Sequence, residues 1–151
     1  AIWLHSHGWK IDSVSVPHGK GIDYDSDKQN LKAKLSEAKV EVESIVYKSD
    51  GPDIIGHLDS TVCKIECKGF GSGKDNTLDT SFDRAVASAV SYFDRKDSLR
   101  IGVAFPFHPV YMKLIDKKIP LSLRQTLNMW VLLYIPKENS IEDLSGTIFD
   151  S

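Results

Sequence analysis

The sequence predicts an α/β fold, a mixed central sheet with helices on its faces, and three observations carry that prediction. Short apolar runs, among them 61–68, 99–105 and 129–135, read as strands. Segments with apolar residues at helical spacing alternate with them, the order expected of a layered α/β domain. Turn chemistry such as Ser49-Asp50-Gly51-Pro52 separates the runs. The 151 residues, 41% hydrophobic and 26% charged, suit one domain with one buried core.

Taken in order, residues 1–26 read as an irregular arm. Aromatics and histidines come first (Trp3, His5, His7, Trp9), then one short strand over 10–16, then Pro17, Gly19 and Gly21. Good helix formers from 28 to 39, with Asp27 as N-cap and Leu31, Leu35 and Ala38 at helical spacing, predict the first long helix. Val40, Val42, Ile45, Val46 and Tyr47 predict a strand, closed by the Asp50-Gly51-Pro52 turn. A second strand starts at Asp53, and its hairpin partner follows the 58–60 turn as 61–68. A glycine-rich loop, 69–73, comes next. Asp79 or Thr80 can cap a helix to Phe93, with Ala85, Val86, Ala89 and Val90 on its apolar stripe. A strand over 99–105, stopped by Pro106 and Pro109, precedes helices over 110–116 and 121–127 and a buried strand over 129–135. The core therefore spans 28–135, and the polar segment 136–151 reads as a peripheral tail.

Composition excludes several classes. No run approaches the roughly 18 apolar residues of a membrane span, and the N-terminus lacks the basic-then-apolar order of a signal peptide. Two cysteines, Cys63 and Cys67, are too few for a disulfide scaffold, so a reducing, cytoplasmic setting fits. The chain begins with Ala1 rather than Met, so its numbering can start within a longer product. A net charge of −2 does not advertise a nucleic-acid binder, but an acidic metal cluster lowers the charge of the metal-free protein and local basic patches can still steer a polyanion.

The chemistry concentrates on the 61–68 strand. With a period of two, Cys63, Ile65 and Cys67 point one way and Lys64, Glu66 and Lys68 the other. Thirteen residues before Glu66 stands Asp53, at the mouth of the neighbouring strand. A hairpin of that length brings both carboxylates to one end of the sheet. Two carboxylates and a strand carbonyl, that of Cys67, suit a hard cation such as Mg²⁺, which keeps several waters for chemistry. Lys68 is placed to orient an attacking water or to stabilise charge growing on a phosphate.

The wording Pro52-Asp53-Ile54-Ile55-Gly56, then Lys64-Ile65-Glu66-Cys67-Lys68-Gly69, resembles the PD-(D/E)xK signature of restriction endonuclease-like enzymes. The predicted element order over 28–105 resembles that family's αβββαβ core. The resemblance implies a Mg²⁺- or Mn²⁺-dependent nuclease, endo- or exonucleolytic, with Asp53, Glu66 and the Cys67 carbonyl on the metal and Lys68 as the catalytic lysine. It implies DNA as the partner, leaves RNA open, and allows a homodimer. Some branches carry a Gln-x-x-x-Tyr pair on the following helix; here Ser88 and Tyr92 hold those places, and the Gln is missing.

The bare triplet is uninformative, because Glu37-Ala38-Lys39, Asp94-Arg95-Lys96 and Asp116-Lys117-Lys118 also fit it. Only Glu66 has a Pro-Asp at hairpin distance and an apolar strand around it. Glu37, Glu41 and Glu43 are candidates for a third acidic ligand. Lys64, Lys74 and Arg84 are candidates for phosphate contacts. The plain alternative makes Asp53 a turn residue and Glu66 and Lys68 a solvated strand face. A second function class is a catalytically inactive binding or assembly module on the same fold. A zinc or thiol protein using His57, Cys63 and Cys67 falls short of the paired ligand spacing such sites show. The glycine-rich loop with Lys74 lacks Walker A spacing and reads as a loop contacting substrate backbone.

Overall fold

In the computed structural model, residues 1–17, 21, 23–69 and 74–145 are described. Helix α1 (Ile2–Ser6) leads into strand β1 (Lys10–Ser15), then α2 (Tyr24–Glu37), a single 3₁₀ turn (Val42–Ser44), β2 (Val46–Lys48), β3 (Ile54–Leu58) and β4 (Thr61–Cys67). Helix α3 (Asp75–Ser91), β5 (Leu99–Pro106), α4 (Pro109–Lys118), α5 (Leu121–Thr126), β6 (Met129–Ile135) and β7 (Ser140–Asp143) complete the order. The strands form one mixed sheet in the order β2-β1-β3-β4-β5-β6-β7. Strand β1 is parallel to β2 and antiparallel to β3, β3 is antiparallel to β4, β4-β5-β6 are parallel, and β7 is antiparallel to β6. Among the described residues no helix is long and apolar enough to cross a membrane.

The sheet has two covered sides. On one, α3 and α4 bury Leu78, Phe82, Ala85, Ala89, Tyr111 and Ile115 against Ile101, Val103, Phe105, Met129, Val131 and Leu133. On the other, Leu4 of α1 and Leu35 of α2 pack with Ile11, Val14, Cys63, Ile65, Trp130 and Leu132. Strands β5 and β6 are apolar almost throughout because both of their sides are covered, as in parallel sheets generally.

Several expected boundaries move, each for a physical reason. The segment expected as an irregular arm is structured at both ends: α1 precedes β1, and β1 lies inside the sheet between β2 and β3. Its Trp9 is buried edge-on against Trp130 at 5.1 Å, and Trp3 meets the same ring at 6.5 Å. The expected 40–47 strand shrinks to the 3₁₀ turn and the three residues of edge strand β2, so the antiparallel trio is completed by β1 instead.

Helix α2 starts at Tyr24, because Asp23 rather than Asp27 caps it by accepting from Ser26 N–H at 3.1 Å. Helix α3 starts a turn before Asp79, since Leu78, fully buried, extends the stripe of Phe82, Ala85 and Ala89. The polar segment after Pro136 supplies β7, whose Ser, Glu and Asp suit an exposed edge. Residues 70–73 of the expected glycine-rich loop lie outside the described residues.

Candidate active site

The β3-β4 hairpin turns through Asp59 and Ser60, with Asp59 in the left-handed region at φ 51°. Its register pairs Ile54 with Ile65, Gly56 with Cys63 and Leu58 with Thr61. Continued by one step, that register sets Asp53 across from Glu66. Directly opposed residues share a side of the sheet, so both carboxylates stand on the side that α3 covers, together with Lys64 and Lys68. Cys63, Ile65 and Cys67 face the α2 side. The two-sided strand read from the sequence is thus the strand observed.

Asp53 also ends the ladder. Pairing with β3 stops at Ile54, so the N–H of Cys67 projects beyond the last strand partner, and Asp53 Oδ2 accepts it at 2.6 Å. A strand residue directs its N–H and C=O to the same neighbour, which turns the Cys67 carbonyl towards Asp53 as well. The next residue faces the other way, its N–H bonded to the Ala104 carbonyl at 2.9 Å.

Glu66 is 5% exposed, and both of its oxygens are engaged. Oε1 accepts from the Tyr92 hydroxyl at 2.6 Å, and Oε2 lies 3.5 Å from the Lys68 ammonium. Tyr92 follows the last turn of α3, so the helix itself delivers the hydroxyl to the sheet. Burial pushes the Tyr92 phenol up, and the hydrogen bond to Glu66 adds to the effect, which keeps it a donor. Partial burial raises the Asp53 carboxyl above the usual carboxylate range; the Cys67 N–H opposes the rise, the Glu66 charge adds to it, and Lys68 opposes it.

A cation implied by the sequence pattern can be tested against these donors. They are hard oxygens: the second oxygen of Asp53, the Glu66 carboxylate and a backbone carbonyl. The Glu66 charge adds to the rise at Asp53, and a divalent ion relieves crowding of that kind between two carboxylates. Among the described residues no three His, Cys, Asp or Glu side chains gather as a metal group. The donor set therefore fits an ion that keeps much of its hydration, as Mg²⁺ does, and not a closed all-protein cage. Glu37, Glu41 and Glu43 are exposed at the end of α2 and in the turn after it, and α2 packs on the opposite side of the sheet.

The remaining candidates divide by place. Lys74 and Arg84 are both exposed on or next to α3. Eighteen residues of helix rise put Lys74 ~27 Å from Tyr92 along the axis, so it belongs to the far end of the helix. Lys64 sits closer, its ammonium 5.9 Å from the Tyr92 ring centre. His57 pairs with Val62 and faces the α3 side, whereas Cys63 and Cys67 face the other, so the three cannot share a zinc ion. Burial pushes the thiols up to about 11 for Cys63 and about 12 for Cys67. An apolar cavity of about 340 Å³, lined by Leu4, Ile54, Ile65, Ala104 and Leu132, lies on the α2 side and meets the carboxylate site at Cys67 and Lys68.

Tyr92 is the residue that sequence reasoning passed over. Its signal was its place in the x-x-x-Tyr spacing, discounted because Ser88 stands where a Gln was sought. Neither a protein-family model nor a curated protein sequence matches the chain. Among solved structures, the chain is similar to an XisH family protein from Nostoc punctiforme, at a TM-score of 0.49 and 15% identity over 93% of this chain and 91% of that one. It is also similar to an fdxN element excision controlling factor protein from Anabaena variabilis, at a TM-score of 0.45 and 13% identity over 92% of this chain and 88% of that one.

Proposed function

We propose that the chain is a divalent-metal-dependent nuclease of the PD-(D/E)xK type, hydrolysing phosphodiester bonds of nucleic acid, DNA first among them by family resemblance. The observation that carries this reading is the convergence of Asp53, Glu66 and Lys68 on one side of one hairpin end, with Glu66 buried and gripped by Tyr92. A solvated strand face would leave Glu66 exposed and unbraced. A buried carboxylate with two partners is an organised one.

Asp53, Glu66 and the Cys67 carbonyl would hold Mg²⁺ or Mn²⁺. The ion, when bound, supplies Lewis acidity towards a phosphate oxygen and lowers the pKa of a water. The protein's own parts follow from the geometry. Tyr92 fixes one Glu66 oxygen, so the carboxylate presents a set direction. Lys68 carries a positive charge beside Glu66, and displacement of that ion pair frees its ammonium to donate to a non-bridging phosphate oxygen or to orient the attacking water. The Cys67 N–H fixes Asp53 in the same manner.

The test is a cleavage panel of single-stranded, duplex and branched DNA and RNA with Mg²⁺, Mn²⁺ or Ca²⁺, with Glu66→Gln and Lys68→Ala as controls. Metal-dependent cleavage that both substitutions abolish supports the reading. A chain that binds no divalent ion and cuts no substrate is instead a binding or assembly module on this fold.

A further inference from the structure

Among the described residues, the helices on the carboxylate side of the sheet cover β4, β5 and β6 and leave β1, β2 and β3 outside their apolar cluster. On this side those strands present Lys10, Asp12, Ser15, Lys48, Ile55 and His57, with Ser13 buried among them, as the pairings Lys10 with His57, Ser13 with Ile55 and Ser15 with Lys48 require. Val46, on the same side, is 61% exposed. Among the described residues no carboxylate lies within ion-pair distance of Lys10, Lys48 or Lys64, though the Lys64 charge is felt at Asp94.

Within this surface one pair is built. The β1-β3 register shifts between Ile11 and Ser13, so Asp12 is the extra residue of a bulge, a device that re-aims a side chain. Its carboxylate meets His57 Nδ1 at 2.8 Å through Oδ1 and 2.9 Å through Oδ2. With Nδ1 taken, the second ring nitrogen, Nε2, is the one left for a ligand, and both side chains remain part-exposed, at 38% and 39%. His57 stands four residues from Asp53 on β3, about 13 Å at ~3.3 Å per residue.

We propose that this polar half-sheet is a phosphate track for the nucleic-acid strand leaving the carboxylate site, with Lys48 and Lys64 nearer the site and His57, oriented by Asp12, contacting one backbone phosphate beside Lys10 at the far end. The proposal rests on the nuclease reading for its neighbour, and two features favour a polyanion as the occupant. The Lys10, Lys48 and Lys64 ammonium groups complement phosphates, and Lys64 stands two residues from Glu66 on the same side of β4, which links the surface to the carboxylate site. At ~3.4 Å of rise per nucleotide, 13 Å is about four nucleotides from the scissile position.

Binding separates this proposal from catalysis. Fluorescence anisotropy of the full chain with labelled DNA and RNA oligonucleotides, in EDTA and in Ca²⁺, gives Kd against salt. Lys10→Gln/Lys64→Gln, and independently Lys10→Gln/Lys48→Gln, should each weaken binding and lower the salt slope by about 1 per lysine. Lys113→Gln/Lys117→Gln, exposed on α4, should leave both unchanged. His57→Ala should weaken long oligonucleotides and spare those too short to span from the site to His57, and His57→Gln, which keeps a donor, should restore part of the loss. Equal losses in the α4 control, unchanged Kd in both track variants, or a His57 effect independent of length would overturn the track. Failure of the nuclease reading shows elsewhere, as cleavage indifferent to Glu66→Gln.

Discussion

The Tyr92 hydroxyl donates to Glu66 Oε1 at 2.6 Å, across 26 residues of chain and from helix to sheet. The bond makes the orientation of the site's most buried carboxylate depend on the seating of α3. Tyr92→Phe keeps the ring and removes the bond. The expected outcome is a loss of about 10- to 100-fold in metal affinity or activity, the usual effect of removing a group that braces a metal ligand. Mg²⁺ titration of cleavage and Mn²⁺ calorimetry measure it; an unchanged metal dependence would assign Tyr92 to packing alone.

Asp53 holds two roles that substitution can separate. Asparagine keeps an oxygen to accept the Cys67 N–H, and alanine does not. Both Asp53→Asn and Asp53→Ala should abolish cleavage, but only Asp53→Ala should also lower stability, by about 1 kcal/mol for the lost bond. Urea unfolding of the two variants side by side shows the difference. If both are as stable as the parent chain, the 2.6 Å bond contributes nothing net.

Lys68→Ala should reduce kcat by ~10²- to 10³-fold, the scale of a lost electrostatic stabiliser, while Mn²⁺ binding persists. Glu66→Gln should weaken that binding itself. A Lys68 variant that loses metal and activity together would show the ammonium to be structural, held for its contact with Glu66 at 3.5 Å.

Gly56 pairs with Ile11 where β1 lies alongside β3, next to the bulge. A Cβ there would stand 2.8 Å from the Lys10 carbonyl, a backbone atom that cannot swing aside, and 3.5 Å from Cys63 Sγ. Gly56→Ala should cost ~1–3 kcal/mol by overpacking and shift the β1-β3 pairing that sets Asp12 against His57. The fall in urea midpoint, with hydrogen exchange of β1 amides, tests both parts.

The buried thiols give a pH dependence with a definite sign. Cys63 and Cys67 are held up at about 11 and about 12, against 9.0 for a free thiol, so the unfolded chain loses these protons first as pH rises. Above pH 9 the native state binds more protons than the unfolded one, and stability falls with pH through the window to about 12. Below 9 the two thiols contribute no slope. Urea midpoints between pH 8 and 10.5 should decline more steeply in the parent chain than in Cys63→Ala/Cys67→Ala. At pH 7.5 alkylation of native Cys63, with no exposed surface, should be far slower than after unfolding.

The chain's order of residues alone settled what depends on short-range geometry. A hairpin closed by Asp59 and Ser60 puts residue 53 across from residue 66, and a period of two sends Glu66 one way and Cys63, Ile65 and Cys67 the other, so the Asp53, Glu66 and Lys68 group was legible from spacing. The apolar runs of β5 and β6 were legible for the same reason, since burial on both sides leaves a continuous hydrophobic stretch.

Pairing between distant segments decided the rest. Nothing local tells β1 that it will lie between β2 and β3, or gives four mostly polar residues at 140–143 a partner in β6. Asp27 and Asp79 both lie inside their helices: Asp23 caps α2 one turn earlier, and the burial of Leu78 draws the start of α3 ahead of Asp79. Tyr92 reaches Glu66, and Asp12 reaches His57, only once a helix is laid on the sheet and a bulge is set between two strands. Spacing fixes which side chains share a strand face, and tertiary contact alone decides which groups from elsewhere in the chain are brought to brace them.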